Sequence, residues 1–430
     1  MNDQVARMTA ERVARTSYGR LVAILAAVTG DLESAEDALA VAFERALTSW
    51  PDAGIPDNPE GWLVIVARNH QRDVWKSSAH RTAASFDEQR AQAPEAAVFI
   101  TAAAMKDLDP DAIPDKRLEL LFVCAHPAID PAIRTPLMLQ AVLGFDAEQI
   151  ARAFATPRTA MAQRLVRAKK RIKNAHIPFL VPDRAAMSER IVPVLEAIYG
   201  CYAIAGPAGA GAATDSSLEP SRSAAATRPD SLAGEAQYLA VTLAALLTSN
   251  AEAWALAALI TLSLARASAH SERFVPLDEH DVREWDAGMI AEGETYLRRA
   301  TGQGKPGRFQ LEAAIQAVHC DRARTRLTDW AALETLYAAL LLVAPSVGAQ
   351  VAHATVVGRV AGASAGLALL DELGGAAAGF QPYHAARAEL LSRAGLTAEA
   401  SQSYASAIEL ADDQAVREYL EAQRRSLQHG

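Results

Sequence analysis

At 430 residues the chain is long enough for roughly two to four domains, and its composition, half apolar but only 6% aromatic, rich in Ala and Leu and poor in alternating β-branched runs, points to an all-helical protein. The formal charge of −9 is unevenly placed: residues 1–182 hold 22 of the 42 Lys/Arg and 22 of the 51 Asp/Glu, so the deficit falls on residues 183–430, and that acidic half is excluded as a nucleic-acid surface. Cys124, Cys201 and Cys320 are too scattered for a disulfide framework, and MNDQVARMTAERVAR lacks the apolar core of a signal peptide, so a cytoplasmic protein is expected.

Residues 11–50 carry two amphipathic helices. Asp31 caps the second, DLESAEDALAVAFERAL, in which Ala35, Leu39, Ala42, Phe43 and Ala46 share a face, while Glu33, Glu36, Asp37 and Glu44 are polar. Pro51 to Pro59 reads as a turn-rich loop. Asn58 as N-cap and Pro59 at the first helical position then open a third helix, NPEGWLVIVARNHQRDVWKSSAHR. It begins apolar and ends basic, with Arg68, Arg72, Lys76 and Arg81 near Trp62, His70 and Trp75. Interleaved aromatics and cations suit melted DNA, whose exposed bases stack. A core helix with packed Trp and solvated Arg accounts for this segment equally well. Residues 82–114, rich in Ala, Asp and Pro, read as a linker. Helices resume at Asp115. In LELLFVCAHPAI, Cys124 and His126 have no second ligand pair nearby, so packing rather than zinc is expected, and the chain is read as having no metal and no cofactor.

The stretch from Gly144 to Asn174 reads as two helices joined by a tight turn. Asp146 is the N-cap of the first, with Gln149 three residues on, close to a capping box. Ala155 and Thr156 make the turn, and Pro157 opens the second helix where a missing N–H costs nothing. Met161, Leu165, Ala168 and Ile172 form one stripe; Thr159, Gln163, Arg167 and Lys170 fall opposite. Between Ile150 and His176 stand Arg152, Arg158, Arg164, Arg167, Lys169, Lys170, Arg171 and Lys173, with no acid among them. An apolar docking stripe backed by an Arg/Gln face is the design of a helix-turn-helix recognition helix. The alternative is a basic solvated surface; the cap, the short turn and the two-sided pattern favour DNA binding.

Residues 183–204 form a further helix, and about 205–234 is an irregular Gly-, Pro-, Ser- and Ala-rich segment. The most apolar stretch, Ala240 to Ala267, is broken by Ser249, Asn250 and Glu252, so it reads as buried helices rather than a membrane span. Paired helices follow. Ala332, Gly366 and Ala400 are 34 apart, and Leu336, Leu370 and Tyr404 keep the same step, which is the tetratricopeptide (TPR) period. YHAARAELLSRAG followed by TAEASQSYASAIEL is the clearest helix pair, with Gly395 ending its first helix. Small residues at the repeated sites favour a solenoid over a catalytic pocket. His319–Cys320 is read as a buried helix end, and Asp278, Glu279, Asp281, Glu284 and Asp286 as a solvated acidic face.

RTSYGRLVAILAAVTGDLESAEDALAVAFERAL, NPEGWLVIVARN and AMAQRLVRAKKRIKNAHIPF together resemble a bacterial sigma factor. The chain is most similar to the extracytoplasmic-function group with a TPR-like C-terminal extension, whose pattern also takes in VREWDAGMIAEGETYLRRA and FQLEAAIQAVHC. The resemblance implies an all-α protein with sigma region 2 at 1–81, a linker at 82–114, a region 4 helix-turn-helix at 115–182 and a TPR-like domain at 183–430. Its partners would be core RNA polymerase and promoter DNA, with no membrane, and a protein or small molecule for the TPR-like domain. Glu36, Asp37, Leu39 and Phe43 would face polymerase. Asn69 and Arg72 would meet the melted minus-ten element, and Arg158, Thr159, Gln163, Arg164, Arg167 and Lys170 the minus-thirty-five element. Two departures stand out. Ala40 and Val41 occupy the positions of a Gln and an acid that usually face polymerase, which implies either a weaker or a reshaped contact, and the family's Asn-Glu-Gly-Tyr run is absent around Cys201 and Tyr202.

Three functions compete. A promoter-specificity subunit without catalytic activity explains both DNA-binding segments. A DNA-binding regulator with a TPR-like sensor has no need of the WLVIVARN region. An enzyme in the C-terminal half is least supported, since no Gly-rich phosphate loop, nucleophile elbow or metal-spaced cluster occurs there. The TPR-like domain is expected to brace the DNA-binding domains rather than mask them.

Overall fold

The structure, a computed structural model, describes residues 2–82, 115–175, 177, 182, 184–205, 231–266, 274–302 and 304–427. The expected linker lies almost wholly outside these residues, as do the side chains of Lys76 and Arg81 and most of the expected irregular segment. Among the described residues every regular element is helical, with nineteen α-helices and no strand. None of these helices is long and apolar enough to cross a membrane. The chain divides into two compact units, Met1–Ala197 and Ile198–Gly430.

In the first unit α1 (Asn2–Thr29), α2 (Leu32–Ala53) and α3 (Pro59–Thr82) pack on one another. Asp31 caps α2 as expected, accepting from the Ser34 N–H at 3.3 Å, and Asn58 caps α3 through the Gly61 N–H at 2.9 Å. One expectation is corrected here. The loop read from Pro51 shrinks, because α2 runs through Pro51 to Ala53. Pro51 still terminates it within a turn, and the buried Trp50 holds that last turn down.

Four short helices follow: α4 (Lys116–Cys124), α5 (Pro131–Ala141), α6 (Ala147–Ala153) and α7 (Arg158–Asn174). The apolar residues of α4 are covered on every side, with Leu118, Leu121, Phe122 and Cys124 all at 0% exposure. A short helix buried all round must be flanked on opposite sides, and α4 lies against both α1 and α5. Glycine is required where α1 meets the end of α5: a Cβ on Gly19 would stand 1.5 Å from the Val142 carbonyl oxygen. The chain continues into α8 (Arg184–Ala205), from which Arg190 donates to the Phe122 carbonyl of α4 at 3.3 Å.

The second unit carries α9 (Leu232–Leu246) and α10 (Ala251–Leu264), the two buried helices expected from the Ala240–Ala267 stretch, with Asn250 as N-cap of α10. Then come α11 (Ala287–Ala300), α12 (Arg308–Cys320), the single turn α13 (Arg322–Thr325), α14 (Trp330–Val343), α15 (Val347–Val360), α16 (Ala363–Leu373), α17 (Gln381–Arg393), α18 (Thr397–Glu409) and α19 (Gln414–Ser426). From α14 onward each helix packs on the next. The positions of the 34-residue step lie on α14, α16 and α18, alternate members of that series; Gly366, Ala400, Leu370 and Tyr404 are buried, whereas Ala332 and Leu336 on α14 are half-buried. A Cβ on Gly366 would meet the Ala354 carbonyl oxygen at 2.5 Å, so its smallness lets α16 press onto α15. Gly395, at φ 76°, ends α17 as expected.

The residues weighed as chemical sites in this unit are structural. Asp281 caps a single short helical turn, Asp286 caps α11, and Asp278 pairs with Arg359 at 3.0 Å. Cys320 is 1% exposed at the end of α12, and burial beside two arginines pushes His319 down to about 3, leaving it neutral.

Candidate nucleic-acid and polymerase interface

The site is built on the α6–α7 pair. The capping box is complete: Asp146 accepts from the Glu148 and Gln149 N–H groups, both at 2.8 Å, while Gln149 accepts from the Asp146 N–H at 3.0 Å. The turn reverses through Ala155, which takes a left-handed φ of 46°, and the Thr156 N–H returns to the Ala151 carbonyl at 2.9 Å. Pro157 occupies the N-cap, one place before the first helical position expected for it, and α7 starts at Arg158. The fixed Pro φ still sets the entry to the helix.

The buried stripe of α7 is the expected one: Met161, Leu165, Ala168 and Ile172 pack toward α5 and α6. Arg158, Thr159, Gln163, Arg164, Arg167 and Lys170 are all exposed. Arg158 pairs with Glu148 at 3.0 Å, and the Arg167 Nε donates to the Gln163 carbonyl at 3.3 Å. Both are solvent-facing interactions of small energy, easily exchanged for phosphate or base-edge acceptors. α7 itself holds no acid, so a single-sign surface with one amide, Gln163, at its centre is presented to water.

On α3, Asn69 and Arg72 are exposed. The aromatics divide. Trp62 lies edge-on to buried Trp50, 5.5 Å between ring centroids, and is used in packing. Trp75 is 64% exposed, and Ile65 is 63% exposed on the same helix.

The four residues expected to face polymerase do not form one surface. Asp37 is exposed and Phe43 half-buried, but Leu39 is 0% exposed. That corrects Leu39 from a contact residue to a core residue: it belongs to the buried stripe Ala35, Leu39, Ala42, Ala46. Glu36 is engaged within the chain. Its two carboxylate oxygens accept from Lys169 Nζ of α7 at 2.8 and 2.6 Å, with side-chain exposures of 14% for the lysine and 18% for the glutamate. A turn further along α7, Lys173 pairs with Asp31 at 2.8 Å. Burial holds the Glu36 carboxyl above its usual range despite the opposing pull of Lys169. Tyr18 beside it is pushed up to about 12, first by burial and then by the charges of Glu36 and Asp37. Both lysines were legible only as part of a basic run, because nothing in local spacing pairs Lys169 with Glu36, 133 residues away, or Lys173 with the still more distant Asp31.

Cys124 is packed, its thiol pushed up to about 12 by burial, and among the described residues no group of three His, Cys, Asp or Glu is placed to hold a metal ion.

Comparison with known proteins adds three findings. The family described as Sigma-70 region 2 matches residues 13–82, and the family of unknown function DUF6596 matches residues 190–301. The chain is 33% identical over 401 residues to an uncharacterized protein of Rhizobium meliloti (strain 1021), an alignment covering 91% of this chain and 90% of that protein. No solved structure matches.

Proposed function

This chain belongs to the family in which a sigma-70 region 2 is followed by a DUF6596 region, and on that premise we propose that it is an extracytoplasmic-function sigma factor whose second DNA-binding element is the α6–α7 helix-turn-helix. Region 2 carries a role in promoter recognition with core RNA polymerase, a non-enzymatic one. The finer reading assigns Asn69 and Arg72 of α3 to the melted strand. It assigns Thr159, Gln163, Arg164, Arg167 and Lys170, with Arg158 at the helix start, to the upstream element, and Asp37, Glu36 and Phe43 to polymerase. The observation that carries it is the acid-free, exposed face of α7, set opposite a fully buried stripe and in one compact unit with region 2. A DNA-binding regulator with a TPR-like sensor would need no region 2.

The C-terminal helices are read as a TPR-like brace, required for activity, and the protein as cytoplasmic. What favours a brace is that α8, which leads into these helices, is itself tied to α4 through Arg190 within the first unit. The test is run-off transcription with purified core polymerase. Promoter-dependent transcripts that appear only when the full chain is added support the reading, and DNA binding without any transcript would favour the regulator.

A further inference from the structure

We propose that the second unit holds a binding site for a small organic monocarboxylate, centred on the guanidinium of Arg266 at the C-terminal end of α10. The site lies wholly within Ile198–Gly430 and is independent of the promoter-binding role.

Arg266 follows directly on the C-cap of α10 and is 8% exposed, although arginine is seldom buried unless paired. Its Nη2 donates to the side-chain oxygen of Gln316, near the end of α12. Its Nε and Nη1 are closed off from solvent and have no acceptor. Among the described residues the guanidinium pairs with no carboxylate and lies over no aromatic ring. Trp285, 5% exposed and packed with Leu262, Ala265 and Cys320, leaves a second buried donor, Nε1, without an acceptor.

No neighbour supplies the missing negative charge. The groups that act most strongly on Arg266 are Cys320, Tyr202, Tyr337 and Arg322. Burial keeps the first three protonated at neutral pH: Cys320 is pushed up to about 11, and Tyr202 and Tyr337 are raised above the usual phenol value. Arg322 adds a second cation, whose N–H groups go to the Leu277 and Asp278 carbonyls at 2.5 and 2.8 Å. The acids that bear on this cluster are already paired. Glu294, which acts on Cys320, meets Arg298 at 3.7 Å, and Glu312, which acts on Tyr337, meets Arg308 at 2.8 Å. Burial pulls the Arg266 pKa down, yet a guanidinium keeps its proton in a protein. A buried water would satisfy its N–H groups but not its charge, so an anion is the fitting occupant.

The surroundings select the kind of anion. Arg322 is engaged by carbonyls, which leaves one guanidinium to be matched by one charge. Arg266 and Gln316 stand at the C-terminal ends of α10 and α12, whose partial negative charge disfavours a dianion such as phosphate. A planar carboxylate accepts well from a guanidinium, and the apolar cluster of Leu262, Ala265, Trp285 and Cys320 gives it a dry wall for an organic body. Tyr202, Gln316 and Tyr337 are only half-buried, so the cluster lies close beneath the surface.

The test uses the unaltered full chain, dialysed to remove small acids, and acetate, the smallest carboxylate that carries carbon chain, which fits wherever a larger one does. Sodium acetate should raise Tm progressively above sodium chloride at matched ionic strength, and should slow hydrogen exchange in residues 308–320 several-fold. Acetamide, neutral and of the same shape, should do neither. Arg266→Met keeps the bulk of the side chain and removes the charge. It should abolish the difference between acetate and chloride and, by removing an uncompensated buried cation, leave the ligand-free chain at least as stable as the unaltered one. Arg266→Lys, which keeps the charge, should retain a weaker acetate response. An arginine with a purely structural role predicts the opposite sign for Arg266→Met, a clear fall in Tm. That fall, equal responses to acetate and chloride in the unaltered chain, an acetate response that survives Arg266→Met, or a larger response to inorganic phosphate than to acetate would each overturn the site. None of these outcomes bears on the sigma reading, which run-off transcription tests separately.

Discussion

Helix α12 begins without a capping side chain of its own. Gly307 is its N-cap, and the acceptor that a Ser or Asp would supply comes from another helix. Glu252, in the first turn of α10, accepts from the Phe309 N–H at 3.0 Å and the Gln310 N–H at 3.2 Å. The choice of glycine follows, since a Cβ at 307 would lie 2.4 Å from the Glu252 Cδ. Hydrogen bonds to a charged acceptor contribute about 1.5–3 kcal/mol each, and the helix N-terminus adds roughly 0.3–1. With Glu252 only partly buried these are discounted, and Glu252→Ala should cost about 2–4 kcal/mol. Gly307→Ala has no backbone cost, its φ being −89°, so its whole effect is eviction of the carboxylate, and it should cost about as much. The double variant should then be little worse than either single one, because each removes the same cap. Urea unfolding of the full chain, with hydrogen exchange at residues 308–320 as the local readout, measures this. Fully additive losses, or a Glu252→Ala loss under about 0.5 kcal/mol, would refute the argument.

Four further outcomes are expected. Arg164→Ala or Arg167→Ala should weaken binding to the upstream promoter element by about 1–3 kcal/mol in a fluorescence-anisotropy titration, and no effect from either rejects this docking face. Asp37→Arg should reduce co-purification with core polymerase at unchanged helical content, since Asp37 is exposed and supports no core contact; full retention counts against the assignment. A chain ended after Ala205 should transcribe less than the full chain at any salt concentration, whereas equal activity would sink bracing and higher activity would establish masking. That cut is preferred to one at Pro182, which would remove the Arg190–Phe122 tie. The three cysteines should resist alkylation at pH 8 until the chain unfolds, because all are buried and burial raises Cys124 to about 12 and Cys320 to about 11; rapid native labelling would contradict the packing.

What the sequence made legible was whatever local chemistry decides. The caps at Asp31, Asn58 and Asp146 and the stripe Met161, Leu165, Ala168, Ile172 depend on neighbours within one or two turns, and they stand where periodicity put them. Pro51 misled because a proline near a helix end can be carried within its final turn when a residue such as Trp50 anchors that turn. Leu39 misled for a different reason: its place on an amphipathic face does not say whether that face meets the chain's own core or a partner. The exposed face of α7 was readable, but the engagement of Glu36 was not, because it joins residues 133 apart. Glu252 looked like a mere interruption of an apolar stretch for the same reason, its partners being 57 and 58 residues away.

The burial of α4 on every side bears on how this protein is to be dissected. A fragment cut to residues 115–182 would keep the α6–α7 pair yet strip α1 from one flank of α4 and Arg190 from its Phe122 carbonyl, baring an apolar strip. Such a piece would self-associate, and weak or erratic DNA binding by it would report on that bared strip rather than on α7. In the ribosome's order of synthesis the same strip has a cover waiting, since α1 emerges long before α4, whereas its seal from α8 arrives last.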